Sequence, residues 1–268
     1  MANSINTNSG ALVALQSLNA TSRDLATVQN RVNTGLKVSS AKDNGAIFAI
    51  ASGLRAEQGA LDSVKNSIQR GQSVIDVALA AGDTITKALE EQKGLAVAIQ
   101  SSVAGSAAET AYLADFNALG AEITSALAGA NFDGINLFSA GSATNNLVVQ
   151  TGTSTTYTVH GAAGPATTVS TATVATRATA TAANVETANT AFAAKLGTLG
   201  SNSKSLERQL TFTSKIQDAL EAGVGNLVDA DLAKESARLT ALQTKQQLGV
   251  QALGIANQSG SILLGLFR

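Results

Sequence analysis

Residues 226–268 read NLVDADLAKESARLTALQTKQQLGVQALGIANQSGSILLGLFR, and the reading of this stretch decides the rest. It has the pattern of one long helix, with Asp229 as N-cap and a second acid, Asp231, complementing the dipole of the first turn. Leu232, Leu239 and Leu253 stand on a heptad spacing, with Leu242 and Val250 beside them. Gln243, Gln247, Gln251 and Gln258 fall four or seven apart on a second stripe, which is one face of a helix. An apolar seam and an uncharged amide seam therefore run side by side into the apolar tail Ile262, Leu263, Leu264, Leu266 and Phe267. No later segment of the sequence follows to cover that tail.

The other end of the chain supplies a partner. Residues 1–34 contain Leu12, Leu15, Leu18, Leu25, Val28 and Val32 and, after Gly10, no glycine until Gly35. The stretch VQNRVNTGLKVSSAKDNGAIFAIA (28–51), paired with Asp229-Ala-Asp231, the glutamine run, Ala256-Asn257-Gln258 and the final Leu-Phe-Arg, resembles bacterial flagellin. The likeness covers roughly the first 140 and the last 80 residues and is strongest to short alphaproteobacterial flagellins.

Composition agrees with helices that meet along narrow seams. Aromatic residues are 3% of the chain, tryptophan is absent and proline occurs once, at Pro165, so few large rings are available for a globular core and little breaks a helix. A net charge of −1 without a basic run argues against nucleic acid as the main partner. With no cysteine, there is no disulfide framework and no thiolate metal site. The N-terminus lacks the charged and apolar regions of a secretory signal. No apolar run reaches the about 18 residues that a membrane span requires.

Taken in order, Gly35, Ser39-Ser40 and Asp43-Asn44-Gly45 break the first helix with turn chemistry. Asp43 or Asn44 then caps a rod helix. Ile47, Leu54, Leu61, Ile68 and Ile75 stand seven apart, Gly82 follows, and Leu89 resumes the series; Ile50, Val64, Ala78 and Ile85 fill matching sites. This repeat is a coiled-coil seam, although Gly53, Gly59, Gly71, Gly82 and Gly94 weaken the case for an unbroken helix. Ser106-Ala-Ala-Glu109 is a capping box. It opens a helix carrying Tyr112, Phe116, Leu119, Ile123 and Leu127, and Asn131-Phe-Asp-Gly134 turns the chain.

Leu147-Val148-Val149 and Tyr157-Thr158-Val159 can pair as a hairpin inside an exposed, Thr-rich module of weak core potential. A third heptad runs through Phe192, Leu199, Leu206, Thr213, Leu220 and Leu227, and its phase fails at Leu227, just after Gly223 and Gly225.

The expected fold is mainly α. It is a long antiparallel helical hairpin or coiled-coil bundle with paired N- and C-terminal helices and a small β or irregular tip. Its parts are the terminal layer (1–43 and 228–268), a heptad rod (44–138 and 184–227) and a variable outer module (139–183).

The resemblance implies a non-enzymatic subunit of the extracellular flagellar filament, exported without a cleaved signal peptide. It implies no cofactor and no metal. Its partners would be further copies of itself, paralogous flagellins, hook-associated junction and cap proteins, an export chaperone and the type III export apparatus. A hook–filament junction protein and a secreted adhesin working through the Thr-rich tip are the alternatives. By the same resemblance the glutamine stripe would line a lumen. Glu90 and Glu91, with Leu95 kept, stand where many flagellins present the Gln-Arg pair read by an innate-immune Toll-like receptor, so weak sensing is expected. The only histidine, His160, lies in a surface strand and has no catalytic company. Arg23, Arg31, Lys37, Lys42 and Asp43 are candidates for ion pairs between subunits, as is Arg70 on the rod.

Overall fold

The computed structural model describes residues 8–139, 146–161 and 175–266, with side chains to residue 258. The described elements are α1 (Ser9–Thr34), α2 (Gly45–Ser101), α3 (Ala107–Gly129), β1 (Leu147–Gln150), β2 (Thr156–Val159), α4 (Ala182–Val228) and α5 (Leu232–Leu266). This is the expected mainly α architecture with one small antiparallel sheet. The chain forms two compact units, one of residues up to Ala56 together with those from Ala219 onward, the other Glu57–Asp218.

In the larger unit a buried series runs along α2 through Leu61, Val64, Ile68, Gly71, Ile75, Ala78, Gly82, Ile85, Leu89, Gln92, Ala96 and Ile99, with Val74 and Ala88 buried beside it. The series alternates by three and four, the spacing of a coiled-coil seam. The helix runs unbroken through all five glycines. Two of them have a packing role: a side chain on Gly71 would strike Val149, and one on Gly82 would strike Leu196.

Helix α4 returns antiparallel. Lys93 pairs with Glu186 near one end, and Gln217 donates to Asp62 Oδ1 at 2.7 Å and to the Gln58 carbonyl at 3.3 Å near the other. Phe192, Leu199 and Leu206 are buried, and Phe192 meets Phe138 with ring centroids 5.4 Å apart.

Helix α3 is capped by Ser106, whose Oγ accepts from the Glu109 amide at 3.1 Å. The returning Glu109 carboxylate takes the Gly105 amide, not that of Ser106. Phe116 and Ile123 enter the core, Leu119 and Leu127 pack at its edge, and Tyr112 points outward. Asp133 and Gly134, both at positive φ, turn the chain between Phe132 and Ile135, which pair as a bridge. That is the backbone of a type I′ turn.

The hairpin corrects one expectation. Leu147 pairs with Val159 and Val149 with Tyr157, as the alternation suggests, but the module is not a weakly packed tip. Leu147, Val149 and Val159 are fully buried in the same core as the helices. The Gln150 amide donates to Ser67 Oγ, the Gln209 side chain to the Thr151 carbonyl, and the Tyr157 hydroxyl to Asn202 Oδ1. The residues that follow the Thr-rich tract are equally committed. Ala175 and Ala180 are buried. Arg177 donates to the Gln100 and Ser102 carbonyls and pairs with the buried Glu109. Pro165 and its neighbours lie outside the described residues.

In the smaller unit, Gly35 closes α1 at φ 71 and its amide donates to the Arg31 carbonyl, the left-handed helix stop that glycine permits. Asp43 then accepts from the amides and hydroxyls of Ser39 and Ser40. These bonds, those to Ser39's hydroxyl and Ser40's amide foremost, hold its carboxyl below the ordinary value of 3.8. Asn44 caps α2 by accepting from the Ile47 amide. Ile47 and Leu54 pack partly buried around Val38, Ala51, Val224 and Val228, whereas Ile50 faces outward. Helix α4 continues through Gly223 and Gly225 to Val228, so the phase shift lies after those glycines. Leu220 is half-buried.

The N-cap of α5 is Asp231, whose side chain accepts from the Lys234 amide at 3.1 Å, and not Asp229. Asp229 instead pairs with Leu36 in an isolated β-bridge. Ala230 donates to the Gly35 carbonyl and Lys37 to that of Val228. The helix starts at Leu232, so the residue directly before it, Asp231, is the one placed to cap it.

Candidate assembly interface

The chain's two ends form one antiparallel helix pair. Along α1 the covered positions are Ala11, Ala14, Leu18, Thr21, Leu25, Val28 and Val32; along α5 they are Glu235, Leu239, Leu242, Gln246, Gly249, Leu253 and Ala256. Both series alternate by three and four, so each helix presents a heptad stripe to the other. The helices are tied at both ends. Asn8 donates to the Ala256 carbonyl at 2.7 Å while its Oδ1 caps α1. Arg31 reaches Glu235 at 3.3 Å, with side-chain exposures of 28% and 10%. Between them Leu18 comes so close to Gly249 that a side chain there would meet its Cδ1 at 3.3 Å.

The strongly apolar contacts cluster toward the Arg31 end, where Leu25, Val28 and Leu242 are buried and Val32 and Leu239 pack against them. Leu12, Val13 and Leu15 on α1 and Leu232, Leu248, Val250 and Ile255 on α5 are exposed. The expected interface residues thus separate into two sets. Leu18, Leu25, Val28, Val32, Leu239, Leu242 and Leu253 lie along the seam of the chain's own helices, whereas Leu12, Leu15 and Leu232 are exposed. The side chains of Leu263 and Leu266, and all of Phe267, lie outside the described residues.

Gln243, Gln247, Gln251 and Gln258 are exposed. Gln246, seven residues from both Leu239 and Leu253, lies half-buried on the seam, where its amide approaches Ser22 Oγ at 3.5 Å. Charges expected between subunits are partly spent within the chain. Arg31 pairs with Glu235, Arg70 with Asp133 at 3.2 Å, and Asp43 holds its own turn. Arg23, Lys37 and Lys42 are exposed, as are Glu90, Glu91 and His160, while Leu95 is half-buried. Among the described residues no group of His, Cys, Asp or Glu is arranged to hold a metal, and no helix is long and apolar enough to cross a membrane.

Two family signatures match this architecture end for end. The bacterial flagellin N-terminal helical region covers residues 5–144, and the bacterial flagellin C-terminal helical region covers 182–267. The chain belongs to the bacterial flagellin family. Flagellin FljM of Caulobacter vibrioides is 50% identical over 272 residues, covering 99% of both chains. Flagellin FljN of the same organism is 51% identical with the same coverage. A flagellin of Brucella melitensis is 37% identical over 288 residues, again covering 99% of each. The resemblance to alphaproteobacterial flagellins therefore extends over the whole chain, including the middle for which the sequence suggested no counterpart.

Proposed function

We propose that this flagellin is the structural, non-catalytic subunit of an extracellular flagellar filament that drives swimming, and that it polymerises through α1 and α5. One observation carries this reading. The terminal helix pair satisfies its inner seam and leaves Leu12, Val13, Leu15, Leu248, Val250 and Ile255 exposed. A chain of near-zero net charge that exposes such a surface on both termini associates unless something covers it. Repeated heterologous contacts that do not close on themselves make an open helical polymer.

In the polymer, residues 1–43 and 228–268 form the inner layer, and Gln243, Gln247, Gln251 and Gln258 face the lumen. Uncharged amides there wet the channel without holding a charged cargo. Residues 44–138 and 184–227 form the rod, and the hairpin within 139–183 packs on it. The exposed acids Glu90 and Glu91 make the rod a poor ligand for the innate-immune receptor, since reversed charge repels a complementary pocket. Export proceeds through the flagellar type III apparatus with a chaperone on the C-terminal helix and no cleaved leader. Junction and cap proteins bound the filament, and paralogous flagellins share it.

Sedimentation and negative-stain microscopy of the full chain, compared with one ending at residue 227, test the proposal. Filaments from the first and soluble monomer from the second are expected. Polymer from both would place the interface elsewhere.

A further inference from the structure

The sequence contains two bonds open to spontaneous rearrangement, Asn44–Gly45 and Asp133–Gly134, and each of these pairings occurs once. In both, the glycine nitrogen can attack the side-chain carbonyl carbon of the residue before it and close a succinimide ring. Glycine allows this because no Cβ shields its nitrogen or restricts its backbone. By residue type the two bonds are comparable candidates. The structure separates them.

At Asp133–Gly134 both reacting groups are occupied. The Gly134 amide donates to Asn131 Oδ1 at 3.1 Å, so the attacking nitrogen is already engaged. The Asp133 carboxylate faces the Arg70 guanidinium at 3.2 Å. An ionised carboxylate spreads its charge over two oxygens and is a poor electrophile.

At Asn44–Gly45 the arrangement is reversed. Both residues are exposed. The Gly45 amide is one of the first-turn donors that a helix leaves without an internal partner, and among the described residues it donates to nothing. Nothing lies within 4 Å of the position a Cβ on Gly45 would take, so the approach is open. The Asn44 side chain is a neutral carboxamide whose Oδ1 accepts from the Ile47 amide at 3.1 Å. That bond caps α2, and it also polarises the carbonyl that Gly45 would attack. Attack places negative charge on Oδ1, where the Ile47 N–H and the positive end of the α2 dipole are already aimed.

We infer that Asn44 is a self-modification site, converted in the folded chain to aspartate and isoaspartate while Asp133 is spared. The Gly45 nitrogen gives its proton to solvent and bonds to Cγ. The Cγ–Nδ2 bond then breaks, and the side-chain nitrogen leaves as ammonia with a proton from solvent. Water opens the succinimide at either carbonyl. Opening at Cγ gives aspartate, and opening at the original backbone carbonyl gives isoaspartate. The net reaction consumes one water and releases one ammonia.

The two products differ in consequence. Aspartate caps a helix as well as asparagine does. Isoaspartate lengthens the main chain by a methylene and turns the Asn44 carbonyl, which accepts from the Phe48 amide at 2.9 Å, into a pendant carboxylate. Ile47 and Ala51, just beyond, pack with Val38, Val224 and Val228, so the loss falls on the core of the smaller unit.

The test incubates the full-length chain at neutral pH, folded and in urea, and reads peptide masses together with labelling by an isoaspartyl methyltransferase. In the folded chain the peptide holding residue 44 should gain the mass of an amide-to-acid exchange and take the label, with matching ammonia release. The peptide holding Asp133 should stay unlabelled when folded and take the label in urea. Gly45→Ala should fold, because the site is open, and should lose the label at residue 44. Hydrogen exchange of the labelled fraction should show the Ile47 and Phe48 amides unprotected, whereas Asn44→Asp should match the parent. An Asn44 that stays intact in the folded chain, whether or not urea converts it, would overturn the inference. So would a label on Asp133 in the folded chain, or an undiminished label at residue 44 in Gly45→Ala.

Discussion

Val149 of β1 occupies the space that a side chain on Gly71 of α2 would need, with its Cγ2 2.5 Å from the ideal Cβ position. The branched Cβ of valine restricts χ1, and this side chain is fully buried, so it has little room to turn aside. The glycine is what lets the hairpin lie on the helix.

Gly71→Ala should therefore destabilise the chain despite alanine's helical preference. Overpacking costs about 1–3 kcal/mol against a gain of about 1 kcal/mol in propensity. Gly53→Ala, at an exposed position with nothing within 4 Å, should instead stabilise by about 0.5–1 kcal/mol. Urea denaturation of the monomer distinguishes the signs.

Arg177→Ala should cost about 2 kcal/mol, because it removes donors from two helix-terminal carbonyls and leaves the buried Glu109 without its cation. Arg177→Lys should recover only part of that loss. A single ammonium does not span the Gln100 and Ser102 carbonyls together with a carboxylate. Thermal unfolding of the two variants beside the parent is the check.

The Arg31–Glu235 pair should behave as a unit. Arg31→Glu places two acids in a half-buried seam, and Glu235→Arg places two cations there; each should destabilise the terminal layer. The double exchange should restore most of the loss, giving a coupling energy of about 1 kcal/mol or more in a double-mutant cycle. Purely additive losses would mean that the pair contributes no interaction of its own.

Asp43 gives the break between α1 and α2 a pH dependence of known sign. Its folded carboxyl ionises below the ordinary 3.8 because Ser39 and Ser40 donate to the charged form. A depressed carboxylate adds stability that is fully present above 3.8 and is lost as pH falls through the folded value. Amide resonances of Ser39 and Ser40 should shift in that acid window, and Asp43→Asn should abolish the shift.

Much of this fold is legible in the sequence because its seams repeat. Ile68, Ile75 and Leu89, like Phe192, Leu199 and Leu206, recur at sevens and are all buried. The hairpin strands are visible by alternation, but four residues per strand do not reveal that Leu147 and Val149 are core. Only the glycine notch on α2 could have hinted at it. Asp229 and Asp231 are equally good caps by type, and a backbone bridge to Leu36 chooses between them. The division of α1 and α5 into inner and outer leucines is harder still. Leu12 and Leu25 look alike in sequence, and which one meets α5 depends on a register set by Asn8, Arg31 and the bridge.

The described residues on either side of residues 162–174 are both held by hydrogen bonds. Gly161 donates to Asn146 Oδ1 beside the last pair of the hairpin, and Ala175 donates to Asn117 Oδ1 on α3. A peptide inserted between these two anchored points lengthens a connection whose ends are already held. Each doubling of its length adds only about 0.6 kcal/mol of closure entropy. Foreign peptides spliced there would be carried at one copy per subunit along an entire polymer, which makes this chain a candidate scaffold for dense, regularly spaced epitope display.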